Sequence, residues 1–181
     1  YTMIAFGGAA PLHAGRLCEK LGVDRLLVPT GAGVGSAIGF LRAPFSFEAN
    51  RSVYMKLSDF KPDVIKTLLT ELQNEATGFV RSCDETSEIL SEFKVYMRYT
   101  GQGWEIPIYL TAAQAMAPNA ATFQKLFEAD YSALFGRTVD GMDVEITVWS
   151  VNATTPSEKV AQISLAQDAG PATSSGTRAL F

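Results

Sequence analysis

The stretch Tyr1-Thr2-Met3-Ile4-Ala5-Phe6-Gly7-Gly8-Ala9-Ala10-Pro11-Leu12-His13-Ala14 decides the fold class. Tyr1 to Phe6 has the apolar content of a buried strand, and Gly7 to Ala10 turn the chain without a bulky Cβ. Pro11 suits the first turn of a helix, where its missing N–H costs nothing. Leu12, Leu17 and Leu21 follow at near-helical spacing with the small Ala14 and Cys18 between them, and Gly22 supplies a stop. Val23 to Pro29 reads as a second short strand. Strand, glycine turn, helix, strand is a βαβ-like unit and predicts an α/β class.

Beyond it, Gly31-Ala32-Gly33-Val34-Gly35-Ser36 leads into a short helix over Ala37–Leu41 that Pro44 ends. The composition changes after residue 45 from Gly/Ala-rich to charged and mixed, which divides the chain into residues 1–45 and 46–155. Phe45 to Lys56 is strand-like around Val53 and Met55. Ser58 is the expected cap of a long helix whose stripe is Val64, Leu68, Leu72, Ala76, Phe79 and Val80. Phe93, Val95, Met97 and Tyr99 alternate, Thr100 to Gly103 turn, and Trp104, Ile106, Ile108 and Leu110 alternate back, which predicts a β-hairpin over 89–110. A second long helix is expected over about Ala121–Phe135 with Gly136 as its stop, then a strand carrying Val144, Ile146 and Val148. The Ser/Ala/Gly-rich residues 156–181 read as a loop or tail. The second unit is therefore a small α+β domain of antiparallel strands and two long helices.

The 181 residues, 47% hydrophobic and 19% charged with a net charge of −4, exclude a disordered or coiled-coil chain. The mildly acidic balance gives no footprint for nucleic acid or an anionic membrane, and no apolar run approaches the ~20 residues that span a bilayer. Two isolated cysteines and one histidine argue against a disulfide scaffold or a zinc cluster and make a cytoplasmic location the default. Both ends are apolar where domain ends are usually polar, so a piece of a longer polypeptide is expected.

Several residues can carry chemistry. The Gly7–Ala10 turn at a helix N-terminus presents unpaired N–H groups to a nucleotide or phosphate, unless the connection simply needs small residues. Gly31 to Ser36 suggests a dinucleotide fingerprint, but Ser36 stands where the third glycine is required, and the frame beginning at Gly33 meets Ile38 instead. His13, in the first helical turn, either reaches a ligand at the glycine turn or serves as a structural hydrogen-bonder. Cys18 and Cys83 read as structural thiols, and Asp84, Glu85 and Glu88 as a solvated acidic loop. Arg98 and Gln102 offer planar donors at the hairpin tip, suited to a carboxylate, an amide or a partner's backbone, or else exposed to solvent.

Ala5-Phe6-Gly7-Gly8-Ala9-Ala10-Pro11-Leu12-His13-Ala14 resembles the A-F-G-G-A-G-P-L-H-A block of the hydantoinase A / 5-oxoprolinase family. Val28-Pro29 with Gly33-Val34-Gly35-Ser36-Ala37-Ile38-Gly39 is similar to its next block, V-P-x-x-x-G-x-x-S-A-x-G. Arg98-Tyr99-Thr100-Gly101-Gln102 is similar to its R-Y-x-G-Q block, and Gly176-Thr177-Arg178 to the stretch that follows. Ala10 departs from the pattern by replacing a glycine, which puts the close approach of a ligand at that edge in question.

The resemblance implies the C-terminal part of an ATP-hydrolysing subunit, with residues 1–45 ending an actin/hexokinase-like nucleotide-binding lobe. It implies ATP and Mg as cofactors, with Gly7, Gly8, Ala9 and His13 on the nucleotide side. The phosphate loops, metal ligands and catalytic residues are expected outside this stretch. The implied reaction is ATP-driven activation and ring opening of a cyclic amide such as a hydantoin or 5-oxoproline; the isolated chain is then expected to be inactive. The alternatives are the ATPase subunit of a related ketone carboxylase, and an interaction module that docks a hydantoinase B-like subunit through Arg98 and Gln102.

Overall fold

A computed structural model of the chain describes residues 1–157 and Gly176. The expected tail over 156–181 and its Gly176-Thr177-Arg178 block lie almost wholly outside the described residues. The described residues form a mixed α/β structure with two separate sheets.

In the first, β1 (Met3–Ile4) pairs in parallel with β2 (Leu26–Leu27), and α1 (Ala10–Leu21) crosses between them. This is the expected βαβ unit with strands much shorter than their apolar runs. Pro11 lies in the first turn of α1, and Gly22 ends the helix in the left-handed region at φ 64°. A 3-10 turn (Ala32–Val34) then leads into α2 (Gly35–Arg42).

The second sheet is antiparallel, in the order β3 (Ser46–Arg51), β7 (Val144–Thr154), β5 (Leu90–Tyr99), β6 (Ile106–Leu110), with β4 (Met55–Lys56) also on β7. β5 and β6 form the expected hairpin, with Phe93 opposite Leu110 and Met97 opposite Ile106. Its inward residues Phe93, Val95, Met97, Tyr99, Ile106 and Ile108 are buried, as their alternation predicts. One face of this sheet is covered by α3 (Pro62–Cys83), the short α4 (Ala112–Met116) and α5 (Ala120–Phe135). Asn119 caps α5 through its side chain, and Thr111 and Gln114 form a reciprocal capping box on α4.

Four local expectations change. Ser58 caps nothing: it lies in a 3-10 turn and its hydroxyl donates to Asp143, while α3 starts at Pro62. Proline there needs no N–H partner and fixes the entry angle more firmly than a serine four residues earlier. The buried stripe of α3 is Ile65, Leu69, Leu72, Ala76 and Val80, which leaves Val64 and Phe79 half exposed. Trp104 lies outside the strand and is 75% exposed, and Leu134 also faces outward.

In β7 the alternation breaks. Tyr96 faces Val148 but Met97 faces Ile146, so Thr147 is an extra residue in a bulge. Inward positions therefore run Val144, Ile146, then Trp149, Val151, Ala153, and Val148 turns away from the core. Trp149 sits fully buried among the helices, its indole N–H donating to the Val53 carbonyl at 2.8 Å.

Candidate functional site

Residues Gly7 to Ala9 join β1 to α1. Gly7 has φ +106°, which a residue with a Cβ rarely adopts, and its N–H donates to the Ala32 carbonyl at 2.7 Å. That bond ties the first glycine block to the second, and Gly35 approaches the Phe6 ring. The structure thus brings together the two glycine-rich stretches that the sequence shows separately. A Cβ built on Gly7 or Gly8 meets nothing within 4 Å, so this side of the turn is open to a ligand. No side chain caps α1 and no acidic residue lies in its first turn, which leaves the positive helix end without a compensating group. Ala10 is the first helical residue, a conformation alanine adopts readily, so its methyl does not strain the turn.

His13 is exposed and lines a cleft of about 270 Å³ with Met3, Ile4, Ala5, Phe6, Ala10, Ala14 and Leu17. The imidazole is the one titratable group of an otherwise apolar lining. A planar, mostly apolar group suits such a cleft, with His13 as its polar contact. Among the described residues no three His, Cys, Asp or Glu side chains gather to hold a metal, and no helix is long and apolar enough to cross a membrane.

Arg98 lies on β5 of the other sheet and Gln102 in the turn that follows it, and their planar groups are engaged within the chain. Arg98 Nε donates to Glu145 Oε1 at 2.7 Å, and its Nη2 donates to the Tyr54 hydroxyl at 3.3 Å. Glu145 is only 1% exposed. Burial pushes its carboxyl up, but hydrogen bonds from Tyr54 and Arg98, with the guanidinium charge, outweigh burial and hold it below the usual carboxylate range. The same contacts, Tyr54 first and Glu145 second, raise the Arg98 guanidinium. Gln102 donates to the Tyr131 hydroxyl at 3.1 Å, and Tyr99 receives the Val139 N–H at 3.0 Å. Farther along β5 and β7, Glu48 is held low by the Ser150 hydroxyl and by Lys94, whose ammonium is raised in return by Glu48.

Sequence reasoning found Arg98 and missed Glu145, Tyr54 and Tyr131. Glu145 was visible as an acidic residue inside an apolar strand, but its partner depends on how β5 meets β7.

Residues 1–49 match the family model Hydantoinase/oxoprolinase. An uncharacterised protein of Methanocaldococcus jannaschii is 31% identical over 72% of this chain and 18% of its own length. The acetone carboxylase beta subunit of Xanthobacter autotrophicus is 28% identical over 76% of the chain and 20% of its own. The caprolactamase subunit alpha of Pseudomonas jessenii is 24% identical over 81% of the chain and 22% of its own. The crystal structure of the ATP-dependent caprolactamase of Pseudomonas jessenii superposes with TM-score 0.63 at 22% identity, over 93% of this chain and 26% of that one. A nucleotide-free acetone carboxylase structure, from work on ATP-dependent acetone carboxylation, gives TM-score 0.64 at 22% identity over 86% of this chain and 24% of that one. The chain spans about a fifth of the length of the curated relatives it matches.

Proposed function

Through residues 1–49 the chain belongs to the hydantoinase/oxoprolinase family, and from that premise we propose that it serves an ATP-dependent enzyme acting on a cyclic amide or a ketone. Residues 1–45 are the edge of its nucleotide-binding lobe, of actin/hexokinase-like architecture, and 46–155 a second, α+β domain. The observation that carries this reading is the open, uncapped turn Gly7-Gly8-Ala9 beside the His13 cleft. Two relatives are named for ATP-dependent chemistry on such substrates, a caprolactamase and an acetone carboxylase.

ATP would supply a phosphoryl group that activates a carbonyl or amide oxygen of the substrate. Gly7, Gly8 and Ala9 let the backbone approach the nucleoside side, the α1 N-terminus offers N–H donors, and His13 borders the apolar cleft. On this reading Mg would be held by acidic residues of the rest of the polypeptide and would offset the charge of the phosphates.

Calorimetry of ATP–Mg with the natural polypeptide tests the reading. Gly8 has an ordinary φ and open space, so Gly8→Val leaves the fold intact and weakens ATP by about tenfold or more by blocking backbone approach. Unchanged affinity with an unchanged melting curve refutes it. Tight, Gly8-dependent binding by residues 1–181 alone contradicts the idea that most of the site lies elsewhere.

A second role is favoured by Trp104. It stands 75% exposed at a hairpin held to α5 by Gln102 and Tyr131. An exposed tryptophan on a rigid support suits a partner anchor, and both named relatives are subunits. In this role a hydantoinase B-like partner docks on the tip through Trp104. Loss of co-purification in Trp104→Ser, with the fold retained, supports it; full retention of the partner refutes it.

A further inference from the structure

The antiparallel sheet ends in β6 on one side and β3 on the other, and the two edges are not alike. In an antiparallel pair every second residue turns its N–H and C=O away from the neighbouring strand. The Thr155 N–H donates to the Phe45 carbonyl at 2.9 Å, in line with the β3–β7 register, so Phe47, Ala49 and Arg51 also bond to β7. Ser46, Glu48 and Asn50 therefore aim their backbone groups outward. The same alternation carried across β7 and β5 puts Pro107, opposite Tyr96, on the outward side of β6. Its missing N–H costs the ladder nothing there, and its ring blocks a further strand. β3 has no such guard. Among the described residues no hydrogen bond is made by the N–H of Ser46, Glu48 or Asn50, and all three residues are exposed. Just inside this edge Phe47 stacks on Phe79 at 4.4 Å, and Phe79 remains half exposed.

We infer that the β3 edge pairs antiparallel with β3 of a second copy of this chain around a two-fold axis at Phe47, joining the two sheets into one. The outward groups lie at Ser46, Glu48 and Asn50, which leaves registers centred on Phe47, Glu48 or Ala49. Centring on Glu48 sets that carboxylate opposite its own copy, a repulsive pair. Centring on Ala49 needs the Asn50 carbonyl, which already accepts from Arg51 Nη1 at 2.9 Å, and sets Phe47 against Arg51. Centring on Phe47 sets Ser46 opposite Glu48 in both directions, where a hydroxyl meets a carboxylate and each pair exchanges both its N–H···O bonds. It also brings Phe47 beside its counterpart and covers the Phe79 ring stacked on it. The commitment to a second copy rests on this self-complementarity, since one strand supplies both halves of every pair. The inference goes beyond the enzymatic reading and does not depend on it.

Sedimentation velocity on the natural polypeptide, with amide exchange at high and low concentration, tests it. A dimer is expected in which the Ser46 and Glu48 amides are protected only at high concentration, whereas those of Phe47 and Ala49 are protected throughout. Ser46→Pro removes an N–H that the chain's own ladder does not use, so it dissociates the dimer and leaves the melting of the monomer unchanged. Ser46→Glu and Ser46→Lys keep that N–H and read the register, and they decide the matter if Ser46→Pro harms the fold. Facing Glu48 of the second copy, Ser46→Glu weakens dimerisation and Ser46→Lys strengthens it, and the two dissociation constants differ by about tenfold or more. A monomer at every concentration overturns the inference, as does a dimer indifferent to a well-folded Ser46→Pro protein. Equal dissociation constants for Ser46→Glu and Ser46→Lys remove the Phe47 register and the inference with it. Protection of the Ser46 and Glu48 amides in a monomer, or only after another subunit is added, assigns the edge to a different strand and overturns it too.

Discussion

Helix α3 offers a sharp test, because sequence periodicity and structure choose neighbouring residues for the same core. Leu69 is fully buried, whereas Val64, on the expected stripe, is 52% exposed. Leu69→Ala removes buried carbons from a packed interface with β7 and β3 and leaves a cavity, at a cost of about 3 kcal/mol. For a chain of this size that is about 6–12 °C in Tm. Val64→Ala loses only half-buried methyls, and alanine is the better helix former by about 0.6 kcal/mol, so the net change is about zero. Urea melts monitored by fluorescence report on the core because Trp149 is buried and Trp104 already faces solvent. If Val64→Ala costs more than Leu69→Ala, the helix is rotated from the phase described and the packing argument fails.

Other outcomes follow from particular contacts. Gly7→Ala, at φ +106°, strains the turn by about 1–2 kcal/mol whereas Gly8→Ala does not; the natural polypeptide's Tm distinguishes them. Tyr131→Phe loses the Gln102 hydrogen bond and about 1 kcal/mol, measured by urea denaturation. Glu145 and Glu48 are held below their ordinary 4.5, so their contribution is complete above that pH and is lost as pH falls through the lowered values. Stability therefore falls on acidification below about 4.5, and Glu145→Gln flattens that limb in a pH series of melts. Lys94 is raised above 10.5, so its contribution is complete below that pH and disappears at higher pH, a loss that Lys94→Met removes.

The sequence conveyed the periodic parts of the fold well. The β5–β6 hairpin follows from alternation at Phe93 to Tyr99 and Ile106 to Leu110, and α1 from Pro11 and Gly22 at its ends. It conveyed the α3 phase poorly because Val64 and Ile65, or Leu68 and Leu69, are adjacent apolar residues that fit two stripes equally. The bulge at Thr147 was invisible, since an extra residue in one strand is defined by its partner strand. The glycine turn was legible as a candidate site. Its link to the second glycine block was not, because the Gly7–Ala32 bond joins backbone atoms and leaves no mark on residue type.

The Arg98-Tyr99-Thr100-Gly101-Gln102 block acquires a structural sense from its partners. Arg98 reaches back to Glu145 beside the bulge, Tyr99 accepts the Val139 N–H on its hydroxyl and packs its ring on Phe127 and Tyr131, and Gln102 closes on Tyr131. Gly101, at φ +86°, lets the turn fold tightly enough for these contacts to coexist. Apart from the Phe127 ring contact, these ties run to residues 131–145, from the last turns of α5 into the central strand β7. The block therefore fixes how the hairpin tip sits against the end of α5, and Trp104 projects from that fixed support. Removing the Arg98 guanidinium strands a buried carboxylate and shifts the whole tip, so a functional defect in Arg98→Ala has to be compared with Trp104→Ser before a direct contact is assigned to the arginine. If Trp104→Ser is silent while Arg98→Lys, which keeps the charge near Glu145, restores what Arg98→Ala loses, the arginine acts through the fold.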